Sequence, residues 1–96
     1  MIIEKPIADN DVVTIKTVSG EEIVGRLVQS KANSFLISKP LVVMATQQGL
    51  GLGPLAFTIN PDTKVEINSS AVLFMAKTDA EMAKQYASST SGIQLV

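Results

Sequence analysis

A hairpin with a glycine in the middle of its second strand constrains this chain more than any other feature. Residues 12–17 (Val-Val-Thr-Ile-Lys-Thr) set Val13 and Ile15 against Thr14 and Lys16, the period-two pattern of a half-buried strand. Val18-Ser19-Gly20-Glu21 reads as a tight turn in which Gly20 can take a positive φ. Residues 22–30 then place Ile23, Gly25 and Leu27 on one face, and Glu22, Val24, Arg26, Val28 and Ser30 on the other. Together the two runs predict a β-hairpin. Gly25 weakens its strand but permits a sharp bend or a close backbone approach, which a small closed sheet requires.

The β bias extends along the chain. Val, Ile and Thr supply 26 residues (10, 9 and 7), and their branched side chains suit a pleated surface. After a second turn at Lys31-Ala32-Asn33-Ser34, residues 35–46 form a long β-rich run broken at Pro40, a residue that suits a bulge or an edge. Residues 47–54 are expected to be a flexible loop. Residues 55–60 are expected to be a fourth strand, kinked at Pro61-Asp62 and continued by residues 64–67. Asn68-Ser69-Ser70 reads as a brief loop and residues 71–76 as a fifth strand. Thr78-Asp79-Ala80-Glu81 has capping-box spacing and opens an expected helix over residues 79–88, with Met82 and Tyr86 on its buried face. Residues 88–92 read as a linker and residues 93–96 as a short apolar tail.

Five strands separated by short turns predict a mostly β fold: a small, strongly bent sheet or barrel with a short C-terminal helix. The expected organisation is an N-terminal extension (1–11), a barrel domain (12–77) and a C-terminal helix and tail (78–96).

Composition limits what such a domain can do. The chain has no Cys and no His, so thiolate nucleophiles, zinc–thiolate sites and the commonest general base are absent. Net charge is −1, which gives no basic field to attract nucleic acid. No stretch approaches the ~20 apolar residues needed to span a bilayer, and the N-terminus lacks a signal peptide's basic and apolar regions. The expectation is a cytoplasmic protein that is not an enzyme, with no cofactor, no metal, no membrane contact and no small-molecule substrate. Charged residues make up 18% against 46% hydrophobic, where a soluble monomer usually carries about 25% charged. Either apolar surface is buried between copies of the chain or the protein is poorly soluble, and the first is the expectation.

Few residues offer chemistry. Gly49-Leu50-Gly51-Leu52-Gly53-Pro54 is glycine-rich, but a phosphate-cradling loop needs a helix after it, and a proline and a β-run follow instead. Leu50 and Leu52 could still meet a partner. Glu21-Glu22 and Asp62/Glu66 read as solvated turn acids, since nothing flanks them that completes a ligand set.

The order of elements resembles the Sm-like (LSm) family, as a divergent member of bacterial or phage type. The first motif that carries the resemblance is Val13-x-Ile15-x-x-Val18-x-Gly20-x-x-Ile23-x-Gly25-x-Leu27. The second is Ile67-Asn68-Ser69-Ser70 followed by the apolar run 71–75, where the family usually has Ile-Arg-Gly-Asn before its last strand. The resemblance covers about residues 11–77 and implies a small, strongly bent, five-stranded SH3-like (Sm-type) barrel. It also implies a homo-oligomeric ring in which the fourth strand of one protomer pairs with the fifth of the next. Single-stranded RNA would then bind at the pore-side loops through Lys31, Asn33, Asn68 and Ser69 as candidate contacts. The chain departs from the family at three places. The turn at residues 31–33 lacks the aromatic or His that stacks a base, Asn68-Ser69 stands where Arg-Gly is usual, and residues 1–11 do not read as the usual N-terminal helix. These departures motivate a second expectation, a structural or protein-interaction ring with a degenerate RNA site.

Overall fold

A computed structural model describes residues 6–90 of the chain. The expected hairpin forms from β1 (Val12–Thr17) and β2 (Glu22–Ser30), with Gly20 at φ 102° in the turn between them. Behind them follow β3 (Ser34–Thr46), β4 (Gly49–Pro54), β5 (Lys64–Asn68), a 3-10 turn (Ser69–Ala71), β6 (Val72–Lys77) and helix α1 (Ala80–Thr90). The strands make one open antiparallel sheet in the order β4-β3-β2-β1-β6, with β5 also on β3.

The 13-residue β3 organises this sheet. Its first half (34–38) pairs with β5 and its second half (41–46) with β4, while β2 runs along the opposite edge. The change of partner falls at Lys39-Pro40, where Lys39 takes a positive φ of 49° and the β2–β3 register shifts between Val24 and Arg26. Pro40 therefore marks a bulge, as its missing N–H requires. Gly25 lies opposite that bulge. A Cβ built on it would collide with the Ile37 side chain and stand 3.3 Å from Pro40 Cα.

Side chains on the inner face form the core: Val13, Ile15, Ile23, Leu27 and Ile37, with Ile7, Phe35, Val42, Leu55, Ile67, Val72 and Met75 packed around them. The single buried polar side chain among the described residues, Thr17, donates from its hydroxyl to Glu21 Oε1 at 2.7 Å. Glu21, an exposed turn acid as expected, thus also braces the turn.

Several expectations about the strands and loops are corrected. Residues 49–54 are not a flexible loop but β4, paired with β3 from Leu41↔Pro54 to Thr46↔Gly49. The two-residue turn Gln47-Gln48 closes through Thr46 Oγ1, which donates to the Gly49 carbonyl at 2.7 Å. At Gly53 a Cβ would strike the Met44 side chain, and Gly49 takes a positive φ of 116° at the end of the turn. The sheet therefore has six strands rather than five. Residues 55–60 are not a strand. The chain must travel from the β4 position to the β5 position along the same edge of β3, around the Lys39-Pro40 bend. It does so through bends and an Asn60-centred turn in which Asp62 N donates to Asn60 Oδ1 at 2.8 Å. The brief loop at residues 68–70 is in fact a 3-10 turn over Ser69–Ala71.

The helix begins one residue later than expected and continues to Thr90. Thr78 is not its cap, because the Thr78 N–H still pairs with the Val12 carbonyl (3.0 Å) and its hydroxyl shares a hydrogen bond with Thr14 Oγ1 (2.9 Å). Asp79 caps instead, its Oδ2 accepting from the N–H groups of Glu81 (3.2 Å) and Met82 (3.3 Å). Residues 88–90 are helical rather than linker, and Lys39 Nζ donates to the terminal Thr90 carbonyl at 3.1 Å. The apolar tail at residues 93–96 lies outside the described residues.

Tyr86 docks the helix on the outer face of the sheet. It is 1% exposed, and its hydroxyl lies within donating distance of two carbonyls at the β3 bend, Ser38 (3.0 Å) and Lys39 (2.9 Å). Burial pushes its phenol above the ordinary value of 10.0, opposed by the charge of Arg26. The unfolded chain ionises first, so the stabilisation is complete below about pH 10 and is lost as pH rises above it. Tyr86 is the chain's one Tyr, and there is no Trp. Tyrosinate absorbance should therefore rise at a higher pH in the native protein than in urea. Tyr86→Phe should lower stability by about 1–3 kcal/mol, by removing the donor from two part-buried carbonyls.

Candidate functional site

The residues singled out as candidate RNA contacts lie on two turns. Lys31 and Asn33 stand in the turn between β2 and β3, while Asn68 and Ser69 stand between β5 and β6. The fold brings them together. Ser34 and Asn68 are paired in the β3–β5 ladder, and one step beyond, Ser69 N donates to the Asn33 carbonyl at 2.9 Å. The other end of the same turn is fastened to the hairpin, where Val18 N donates to the Ala71 carbonyl at 2.9 Å. The 3-10 turn thus spans from the β2–β3 turn to the β1–β2 turn.

Asn68 shapes this link. Its side-chain oxygen accepts from both the backbone N–H and the hydroxyl of Ser70, each at 2.9 Å, as the N-cap of the 3-10 turn. Its amide nitrogen makes no hydrogen bond among the described residues. Asn33, Asn68 and Ser69 are all exposed, so their free donors and acceptors face outward.

Lys31 is anchored by a residue first read as a solvated turn acid. Glu66, in the middle of β5, stands 3.3 Å from Lys31 Nζ and accepts from the Ser34 hydroxyl at 3.0 Å. Those partners, Ser34 first and Lys31 second, hold the Glu66 carboxyl below its usual range. In sequence the two are 35 positions apart, and only the β3–β5 register that sets Glu66 opposite Leu36 brings them together. The pair leaves the loop cluster close to neutral. Asp62 is separate from it, 3.9 Å from Lys39 at the bend.

Among the described residues no group of three or more acids or other ligating side chains is placed to hold a metal. Nor is any helix long and apolar enough to cross a membrane. Compared with family models and with curated proteins, the chain matches none. The candidate site therefore stands on geometry: two polar turns tied by a backbone hydrogen bond, with one internally paired cation.

The cluster also occupies a particular place in the sheet. Asn68 ends β5 and Val72 begins β6, so the turn lies between two of the three strands (β4, β5 and β6) whose outer edges have no partner among the described residues. Beside it, Leu73 is 64% and Phe74 is 54% exposed. An uncharged strand edge flanked by exposed apolar side chains is a template for pairing with another chain.

Proposed function

We propose that the chain is an Sm-like ring protein: an SH3-like barrel that closes into a homo-oligomer by pairing β5 of one copy with β6 of the next. In this reading the repeated turn cluster, Lys31, Asn33, Asn68 and Ser69, takes single-stranded RNA in RNA metabolism or regulation. One observation carries the reading. The cluster sits at the junction of the β5 and β6 edges, both unpaired among the described residues, so pairing them repeats it from copy to copy. A head-to-tail contact whose rotation closes leaves neither of these two edges open. The bent β3, the bulge opposite Gly25 and the three-residue link between β5 and β6 support the barrel. Exposed amide and hydroxyl groups can meet base edges and backbone, and repetition raises a weak contact to a useful one.

The Lys31–Glu66 pair favours a second reading, a structural or protein-interaction ring that does not hold RNA. The cluster's single cation is engaged, Asn68 Oδ1 is occupied, and no aromatic side chain stands in the turn at residues 31–33 to stack a base, a contact worth ~1–3 kcal/mol. Fluorescence anisotropy with short uridine- or adenine-rich RNA separates the two. The RNA-binding ring should bind at low salt, weaken as salt rises, and lose binding in Asn33→Ala with Asn68→Ala. Glu66→Gln frees Lys31, and should tighten binding severalfold while steepening the salt dependence. An intact ring that shows no binding at low salt in either form would leave the structural role.

A further inference from the structure

Residues 40–61 form a run of 22 without a single charged side chain. In the fold this run is the β3–β4 hairpin and the excursion that leads into β5. It leaves Phe57 91% exposed, with Ile59 beside it at 40%. An isolated phenyl ring held in water at the end of an uncharged segment is a knob without a hole.

A hole of suitable size exists elsewhere on the molecule. Tyr86 docks the C-terminal half of α1 on the sheet beside a cleft of about 370 Å³, and the N-terminal half stands off and leaves a groove of about 410 Å³. Val24, Val43 and Met82 supply its apolar lining, and Glu22, Asp79 and Glu81 its acidic groups. The space exceeds a phenylalanine side chain.

Chain topology relates the two. Phe57 lies on the segment that enters β5 at its start, and the groove lies beside the segment that leaves β6 at its end, Thr78 to Met82. When β5 of one copy pairs antiparallel with β6 of another, the start of β5 faces the end of β6. Knob and hole then meet. Lys64, the first residue of β5, is exposed and has no ion-pair partner among the described residues. It arrives at the same end as Asp79 and Glu81, which are equally unpaired there.

We propose that Phe57 of one copy seats in the α1–sheet groove of the next, with Lys64 against the acids beside it. The proposal rests on the β5–β6 pairing above and adds a second clasp to it. Knob and hole are on one chain but on different surfaces, so the contact is head-to-tail and repeats around the assembly. Central aromatic anchors in pockets dominate interface energies, which makes Phe57 the residue whose loss should be felt most.

The absence of native cysteines makes the test clean. Differently tagged copies carrying Phe57→Cys and Gln85→Cys, assembled together and oxidised, should form a mixed disulfide, since Gln85 also lines the groove. Copies carrying Glu66→Cys and Phe74→Cys report the strand pairing separately. In addition, Phe57→Ala should raise the concentration at which the assembly dissociates at least tenfold without lowering the stability of the subunit. Cross-linking of the strand pair with none between positions 57 and 85 would overturn the groove contact and leave the edge pairing standing. If neither pair cross-links and the protein is monomeric, both fall together.

Discussion

Gly25→Ala should destabilise the domain by about 1–3 kcal/mol, and Gly25→Val by more, the usual range for a group forced into a filled core. The added methyl has nowhere to go. It meets Ile37, whose branched side chain is fully buried and stiff at χ1, and behind it the Pro40 backbone. Either β3 straightens at the bend or β2 separates from it, and both loosen the strand that β2, β4 and β5 share. For a domain of this size each kcal/mol shifts the melting midpoint by roughly 4–8 °C. Thermal unfolding followed by circular dichroism checks this. A Gly25→Ala protein that melts with the wild type would show that the close approach of β2 to the bend is not required. The same substitution at Gly51, whose nearest contact is Thr46 Cγ2 at an ordinary 3.4 Å, should be far milder and serves as the control.

The second large effect is on assembly rather than on folding. Leu73→Lys with Phe74→Lys places two charges on the free edge of β6 while leaving Val72 and Met75, which pack on the core, untouched. Charge on an edge strand is a common natural device against strand pairing. The double variant should keep its β-sheet spectrum, and its subunits should dissociate at a concentration at least a hundredfold higher than the wild type, about 2.7 kcal/mol of interface. If the variant assembles as before, the β6 edge is not where copies meet.

Legibility in the sequence follows how local each signal is. The β1–β2 hairpin shows plainly in the alternation of Val13, Ile15, Ile23 and Leu27, because one face of each strand contacts the core and a two-residue period records it. The bend at Gly25 is legible for a similar reason: only a residue without Cβ allows it. Misreadings fall where two signals compete. The Gly-Leu alternation of residues 49–54 is itself a period-two pattern, yet its glycines equally suit a loop, and only the pairing with β3 decides for a strand. The largely apolar run after Pro54 (Leu-Ala-Phe-Thr-Ile) suits a strand, but a chain that changes position around the β3 bend cannot remain in a ladder there. At the helix start, the last β1 hydrogen bond to Thr78 prevailed over its capping-box spacing. Within the candidate site, the meeting of Asn33 with Ser69 depends on order and spacing along the whole chain, so it followed from the overall architecture. The Lys31–Glu66 pair depends on strand register, which no local pattern encodes.

The imbalance of charged and apolar residues that first suggested assembly now has specific locations: Leu73 and Phe74 on the β6 edge, and the charge-free run that exposes Phe57. The native mass, measured by sedimentation or light scattering together with 260 nm absorbance across a hundredfold dilution, tests the ring most directly. A closed ring requires one discrete species several times the 10.2 kDa subunit, unchanged on dilution. A 10.2 kDa monomer at every concentration, or an open-ended series of sizes, would contradict it.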